Sequence, residues 1–270
     1  MEAKGMSLPL SWTGLVMISL MFIGQSQARI DPTTIVGMWL FDENSGQIAT
    51  DASGKGNNGK LVNQPKWIKG KFGSALQFDG NDYVDCGKVL NVDNKLTLSA
   101  WVKNSGKSDG SIVGKYEAQD RRWHIFVFNL GRPGGDDKIY WNVGGQHWRT
   151  SPVGQIGTDW HHLAMVYDGS RSGNEKRLRS YIDAKQTGLI YFGTVPETMP
   201  VITGNVNIGR HGKFEGFPRL FNGIIDEVGI FKDALSLADI KKIMKQGLNS
   251  AASAPFRNKL AIAWANVKIE

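Results

Sequence analysis

Residues 51–59 carry the residue types that bind a hard cation. The segment holds one carboxylate, Asp51, two amide side chains, Asn57 and Asn58, and three glycines. Calcium takes about six to eight oxygen ligands from carboxylates, amides and backbone carbonyls, and a glycine-rich turn lets carbonyls converge. The alternative is an Asx-type turn, in which Asp51 and Asn57 bond only to nearby backbone.

A second group of residues could bind a flat, polar ligand. Aromatic side chains cluster in the middle of the chain beside arginines, and we take four of these residues as ligand-binding candidates: Trp123, Trp141, Trp148 and Arg149. Exposed aromatic faces stack on sugar rings, but buried aromatics in a large core explain the same residues equally well. Because neighbours in a strand face opposite sides, one of Tyr140 and Trp141 should point inward and the other outward.

Catalytic groups are not evident. Retaining glycoside hydrolysis needs two carboxyls about 5–5.5 Å apart, whereas Asp226 and Glu227 are adjacent and should point to opposite faces of a strand. The same argument prevents His161 and His162 from sharing a zinc ion. Cys86 is the single cysteine, so a disulfide framework is excluded and a buried core residue is expected. We therefore predict no enzyme, with an unrecognised glycoside hydrolase or polysaccharide lyase as the least favoured alternative.

The N-terminus has the features of an export signal. Residues 13–24 are uncharged and mostly apolar, and Ser26 and Ala28 are small residues at the positions that signal peptidase requires. The apolar run is too short to span a bilayer core of about 30 Å. We predict a signal peptide at 1–28 and a secreted or cell-surface protein that does not meet nucleic acid. An uncleaved anchor is the alternative.

The rest of the chain alternates short strands with turns. Apolar runs or period-two patterns predict strands at 35–41, 96–102, 124–130, 139–143, 161–167, 179–182, 206–209 and 224–231. Ser236 and Asp239 can begin one short helix, and Gly247 can end it. The pattern predicts an all-β, two-sheet antiparallel sandwich with one short C-terminal helix. Its domain covers 29–247, and 248–270 is expected to be a linker and tail.

Six motifs in this order resemble the LamG-like jelly-roll family of the concanavalin A-like lectin/glucanase superfamily. They are GMWLFDENSG at 37–46, DASGKGNNG at 51–59, GSALQFDGNDYV at 73–84, LSAWV at 98–102, WHHLA at 160–164 with YDG at 167–169, and GIIDEVGIF at 223–231 running into ALS at 234–236. The resemblance implies two curved antiparallel sheets whose first and last strands are close together.

The resemblance also implies a metal site and a function. It brings Asp51 near Asp226 and implies a structural calcium held by Asp51, Asn57 and Asp226, with the carbonyl of Gly54 or Gly59 completing the shell. The expected function is an exported module that binds carbohydrate, a lectin of the cell surface or its surroundings. A protein-interaction or structural domain, whose partner would be a cell-surface protein, is the alternative.

Overall fold

The computed structural model describes residues 30–89, 93–105, 110–116, 124–130, 139–144, 148–150, 156–201, 203–211 and 219–252, with the backbone alone at 116, 124–130 and 148–150. The predicted signal peptide at 1–28 lies outside the described residues, as does most of the predicted tail. In the part of the chain described, no helix is long and apolar enough to cross a membrane.

The described chain is built almost wholly from strands. They are β1 Ile35–Trp39, β2 Ile48–Ala49, β3 Gly59–Val62, β4 Lys66–Lys69, β5 Ser74–Asp79, β6 Tyr83–Asp85, β7 Lys95–Asn104, β8 Gly110–Tyr116, β9 His124–Leu130, β10 Ile139–Val143, β11 Trp148–Thr150, β12 Trp160–Asp168, β13 Leu178–Ile182, β14 Lys185–Thr187, β15 Ile190–Tyr191, β16 Val206–Ile208 and β17 Asn222–Phe231. Two α-helices accompany them, α1 Asn174–Arg177 and α2 Leu237–Ala252, and a 3₁₀ turn at Pro32–Thr34 precedes β1.

The strands form two antiparallel sheets. Sheet A has the order β14-β13-β12-β7-β17-β5-β4, with β1 also paired to β17. Sheet B has the order β15-β11-β10-β9-β8-β16-β6-β3-β2. The first strand therefore lies beside the last one, as the family resemblance implied, and the predicted two-sheet antiparallel jelly roll is confirmed. All eight predicted strands are present. Nine further strands of the described chain were not predicted: seven have two to four residues, a length that shows little periodicity, and the other two are the longer strands β5 and β8.

Alternation along the strands produces the core between the sheets. On β7, Leu98, Ala100 and Val102 point inward, and on β10 the inward residues are Trp141 and its two next-but-one neighbours. Fully burying one such large side chain stabilises the fold by about 1.5–3 kcal/mol. The opposite surface of sheet B, called here the outer face, therefore carries the residues between these inward positions.

Helix α2 begins with the predicted capping box. Asp239 N donates to Ser236 Oγ at 3.2 Å, and Ser236 N donates to Asp239 Oδ2 at 3.0 Å. Gly247 interrupts the helix with φ of 76°, but the chain then makes a further helical turn. Leu248 and Ala251 in this turn are buried against β1 and β17 residues, including Met38. The packed unit therefore extends to the end of α2, beyond the boundary predicted at residue 247.

Candidate functional site

Asp51 anchors the turn that follows β2. Its Oδ1 accepts hydrogen bonds from Met38 N and Ser53 N, and its Oδ2 accepts one from Asn57 N, each at 3.0 Å. Asp51 is itself buried. Three backbone donors on one carboxylate match the turn that the sequence left open as the alternative to a cation site.

Asn57 and Gly59 also have structural roles. Asn57 donates from Nδ2 to Val36 O at 2.8 Å, and its backbone oxygen accepts from Trp39 Nε1 at 2.9 Å. A Cβ on Gly59 would lie 2.4 Å from Val84 Cγ1, so glycine is required there by close packing. The turn after β2 is thus tied to the first strand, and β3 can pass close to β6.

Asp226 lies elsewhere, on β17 opposite Trp101. Its Oδ2 accepts from Lys71 N at 2.8 Å and from Phe72 N at 3.0 Å, whereas its Oδ1 is buried and has no partner among the described residues. Burial raises the pKa of Asp226 to about 7, and the charge of Glu227 adds to this, against the lowering effect of the two N–H donors. Asp51 and Asp226 share no described contact.

Glu227 is the second carboxylate of this strand. The register of β17 against β7 shifts between Asp226 and Gly229, and Glu227 takes a positive φ of 53° within this bulge. Its carboxylate accepts from Leu248 N. Burial raises the pKa of Glu227 to about 7. The two adjacent carboxylates thus hold different segments, the loop before β5 and the end of α2.

The predicted calcium ligands can be compared with these contacts. Both oxygens of Asp51 accept N–H donors, three in all. Asp226 accepts two N–H donors at Oδ2, and its buried Oδ1 has no partner among the described residues. Within the described residues, no group of three or more His, Cys, Asp or Glu side chains could hold a metal ion. The predicted set contains only two such side chains, Asp51 and Asp226, with an amide and a carbonyl as the other donors, so the calcium site stays a prediction.

The expectation that Trp141 stacks on a ligand is wrong. Trp141 is 0% exposed, packs between the sheets, and donates from Nε1 to Ser180 Oγ at 2.8 Å. It alternates inward with Ile139 and Val143, so its ring cannot meet solvent. Trp123 lies outside the described residues. Trp148 and Arg149 are described by backbone alone, with Trp148 paired to Asn142 on β10.

Strand pairing aligns one row of backbone positions across sheet B. Strand pairing joins consecutive members of this row in the order Lys60, Asp85, Asn207, Gly114, Val127, Asn142 and Trp148. Because Val84 on β6 lies in the core, its neighbours Tyr83 and Asp85 point to the outer face. The row is rich in amide and other polar residue types.

Four residues form what we call the Asp85 cluster, namely Tyr83 and Asp85 of β6 and Asn205 and Arg210, which flank β16. Asn205 Nδ2 donates to both oxygens of Asp85, at 2.9 and 3.2 Å, and Gly87 N donates to Oδ1 at 2.9 Å. The guanidinium of Arg210 lies 4.5 Å from the centroid of the Tyr83 ring. All four side chains are partly accessible. Sequence reasoning missed this cluster because 120 residues separate Asp85 from Asn205.

Two further features lie farther along sheet B. Asn142 is 2% exposed, and neither its Oδ1 nor its Nδ2 has a hydrogen-bond partner among the described residues. At the β15 edge, Ile190 and Phe192 are large apolar residues with 51% and 58% exposure. The intervening Tyr191 packs against the core, so Ile190 and Phe192 point away from it.

Comparisons with known proteins agree with this architecture. Residues 78–241 match the sequence model of the Laminin_G_3 family, described as concanavalin A-like lectin/glucanases superfamily. The chain therefore belongs to this family. A search of curated proteins found no match.

Solved structures of the same fold include both binding domains and enzymes. Domain 4 of AbnA, a GH43 extracellular arabinanase from Geobacillus stearothermophilus solved with arabinotriose, is 18% identical with a TM-score of 0.59, covering 81% of this chain and 100% of that one. The binding domain of Paraclostridial Mosquitocidal Protein 1 is 12% identical with a TM-score of 0.55, covering 79% and 52%. A Trypanosoma rangeli sialidase in complex with a difluoro-nononic acid is 13% identical with a TM-score of 0.52, covering 78% and 32%. This chain thus spans about half and about a third of the last two, and such identities show the fold alone.

Proposed function

We propose that this protein is an exported carbohydrate-binding module that holds its glycan on the outer face of sheet B. The observation that carries the proposal is the Asp85 cluster. It is a partly accessible group of donors and acceptors whose geometry is fixed before any ligand arrives. Prepositioned polar groups lower the ordering cost of binding.

The chemistry of the cluster suits sugar hydroxyls, which both donate and accept hydrogen bonds. The Asp85 carboxylate accepts, the Arg210 guanidinium donates, and the Asn205 amide oxygen is oriented by the two bonds that its nitrogen makes to Asp85. Hydrogen bonds to charged groups contribute about 1.5–3 kcal/mol each. The Tyr83 ring adds an apolar surface beside these groups, which suits the C–H face of a sugar.

The structural relatives support a binding role. The arabinanase domain was solved with arabinotriose, and the toxin fragment is named as a binding domain. Both matches extend over about four fifths of this chain. Arabino-oligosaccharides are therefore among the first ligands to test.

Binding is favoured over catalysis by the engagement of the carboxyls with raised pKa. Asp226 and Glu227 are buried on sheet A and accept hydrogen bonds from backbone N–H groups of neighbouring segments. Asp82, whose pKa burial raises to about 6, accepts from Asp79 N within a turn. These three groups therefore serve as structural acceptors and not as an acid and base facing a cleft.

The test compares glycan binding by the wild type with that of Asp85→Asn. The variant keeps an oxygen for Asn205 but loses the charged acceptor, so we expect the dissociation constant for a bound glycan to rise about tenfold or more. Asp159→Asn, at an exposed position preceding β12 of sheet A, is the matched control and should bind like the wild type. Equal affinities of wild type and Asp85→Asn would refute the assignment to this cluster.

Export is part of the proposal and has its own test. The apolar segment at 13–24 with Ala28 predicts cleavage before Arg29. N-terminal sequencing of the mature protein should begin at Arg29. Retention of residues 1–28 on a membrane-associated protein would support the anchor alternative.

A further inference from the structure

We infer that this protein has a second ligand site on sheet A, where it binds an oligosaccharide that carries uronate carboxylates. The site is a row of accessible side chains on the surface of sheet A that faces away from the core, called here the lysine row. In strand order its members are Lys66, Gln77, Ile224, Lys103 and Trp160. The inference goes beyond the proposed function, because the Asp85 cluster lies on the other sheet.

The fold aligns the lysine row across five strands. Strand pairing joins each member to the next, from β4 through β5, β17 and β7 to β12. Alternation turns the row outward, because the core holds the neighbouring residues Leu76, Ile225 and Val102. Four spacings of about 4.8 Å make roughly 19 Å, which is long enough for more than one sugar ring.

The charge of the row is positive. Lys66 is exposed and Lys103 is partly accessible, and none of the ion pairs among the described residues involves either one. The neighbours of Lys103 in the row, Ile224 and Trp160, carry no charge. Asp79 is the next outward residue on β5, and its Oδ1 accepts a hydrogen bond from Asn81 N at 2.9 Å. Lysines without a paired carboxylate attract an anionic ligand.

A third lysine is held beside the row by the loop before β5. Asp226 Oδ2 accepts from Lys71 N and Phe72 N, which fixes this loop on the sheet. Lys71 Nζ then lies 4.3 Å from the centroid of the Trp101 ring, and Trp101 is two residues from Lys103 on the same face of β7. The side chain of Lys71 is exposed. Its charge therefore adds to the row from a position that is set before a ligand arrives.

Protection of the sheet edge accounts for Lys66 but not for Lys103. Strand β4 is the last strand of sheet A, and lysines on edge strands discourage pairing with other chains. Lys103 lies on β7, which is paired on both sides, with β17 and with β12. No free edge needs protection there, so an anionic ligand is the better reason for a lysine at this position.

The uncharged members of the row favour a saccharide as the carrier of the negative charge. Gln77 is an exposed amide, which both donates to and accepts from hydroxyl groups. Ile224 and Trp160 are partly accessible and give apolar surface for the C–H face of a sugar ring. A uronate chain presents ring faces, hydroxyls and carboxylates together, and these match the three kinds of side chain in the row.

Isothermal titration with hexagalacturonate and with its methyl ester tests the ligand class. The two ligands have the same rings, but the ester has no charge. We expect hexagalacturonate to bind about tenfold or more tightly than the ester, and its affinity to fall as salt is added, because salt screens exposed charges. Equal affinities for the acid and the ester would overturn the inference.

A pair of double variants tests the location. Lys66→Gln/Lys103→Gln should weaken hexagalacturonate binding about tenfold or more. Lys176→Gln/Lys245→Gln removes the same net charge at exposed positions of α1 and α2, and should bind like the wild type. Equal losses in the two double variants would show that binding follows net charge alone, and the inference would be wrong.

Other anionic partners are distinguished by two further ligands, single-stranded oligothymidylate and vesicles that contain phosphatidylserine. We expect Lys66→Gln/Lys103→Gln to affect hexagalacturonate binding more than binding of either of these. Tighter binding of the oligonucleotide or of the vesicles than of hexagalacturonate, lost in the same variant, would assign the lysine row to a nucleic acid or a membrane and overturn the uronate ligand.

The outcomes also separate this inference from the proposed function. Asp85→Asn should leave hexagalacturonate affinity unchanged, and Lys66→Gln/Lys103→Gln should leave the affinity for neutral arabinohexaose unchanged. Weakened arabinohexaose binding by Asp85→Asn, together with full hexagalacturonate binding by the lysine variant, would overturn the second site and leave the proposed function standing. Absence of hexagalacturonate binding to the wild type would have the same consequence.

Discussion

Replacing Asp226 by asparagine should stabilise this protein at neutral and alkaline pH. Asp226 is fully buried, and its Oδ2 accepts both backbone N–H groups while its Oδ1 has no partner among the described residues. An asparagine can place its Oδ1 where that oxygen lies and keep both hydrogen bonds. Its amide nitrogen then occupies the unbonded position, and the buried charge is removed.

The magnitude follows from the raised pKa. Burial takes the pKa of Asp226 from 3.8 in the unfolded chain to about 7 in the fold, so the folded state holds the proton more strongly. The stability from this group is complete below pH 3.8 and is lost as pH rises through 7. Each pH unit is worth about 1.4 kcal/mol, so the loss is on the order of 4 kcal/mol. The variant lacks this loss.

Urea unfolding followed by tryptophan fluorescence, at intervals from pH 4 to 8, measures the difference. Shifted groups that are not coupled to Asp226 remain in both proteins and cancel. One of them is His162, whose pKa burial lowers to about 4 and whose protonation opposes folding in acid. We expect the variant to gain about 4 kcal/mol on the wild type between pH 4 and 8. Parallel stability curves over this range would show that the reasoning is wrong.

Asp51→Asn is the matched control with the opposite expectation. Both oxygens of Asp51 accept N–H donors, so an amide nitrogen must replace one acceptor and face a donor. We expect a loss of about 1–3 kcal/mol in the free energy of unfolding. A neutral effect at Asp51 would mean that these hydrogen bonds do not anchor the turn.

Three further predictions follow from individual contacts. Gly59→Ala should lower the free energy of unfolding in urea by about 1–3 kcal/mol, because the new Cβ would overlap the Val84 side chain. Adding Val84→Ala should recover part of this loss, and equal stability of the single and double variants would contradict the prediction. Ser236→Ala removes the capping hydrogen bond of α2 and should cost about 1 kcal/mol, and an unchanged urea midpoint would argue against the cap. EDTA tests the predicted calcium site. Loss of a bound calcium should lower the melting temperature of the wild type by several degrees and leave that of Asp226→Asn unchanged, and an unchanged melting temperature of the wild type would rule the site out.

Local sequence patterns predicted much of the fold. The alternation of Leu98, Ala100 and Val102 predicted the central strand β7, and Ser236 with Asp239 predicted the start of α2. These signals are readable because they depend on neighbours within a few residues. Most of the short strands, the longer strands β5 and β8, and the continuation of α2 beyond Gly247 were missed, since the strands' pairing partners and the residues that pack on Leu248 lie far away in the chain.

The candidate site was much less predictable. Alternation requires Tyr140 and Trp141 to face opposite sides, but only the packing of the two sheets places Trp141 inside and leaves Asn142 on the outer face. The residue types at 51–59 predicted either a cation site or an Asx-type turn at Asp51, and the sequence did not decide between the two. The structure shows three N–H groups there.

The sequence by itself thus determined the antiparallel sandwich, its family and the absence of a disulfide framework, because these depend on periodicity, ordered motifs and composition. Tertiary structure alone decided which polar residues meet. The pairing of β16 with β6 brings Asn205 to Asp85, and the order of sheet B aligns that pair with Asn142 and the β15 edge. Such contacts join residues that are far apart in the sequence, so no local sequence pattern predicts them.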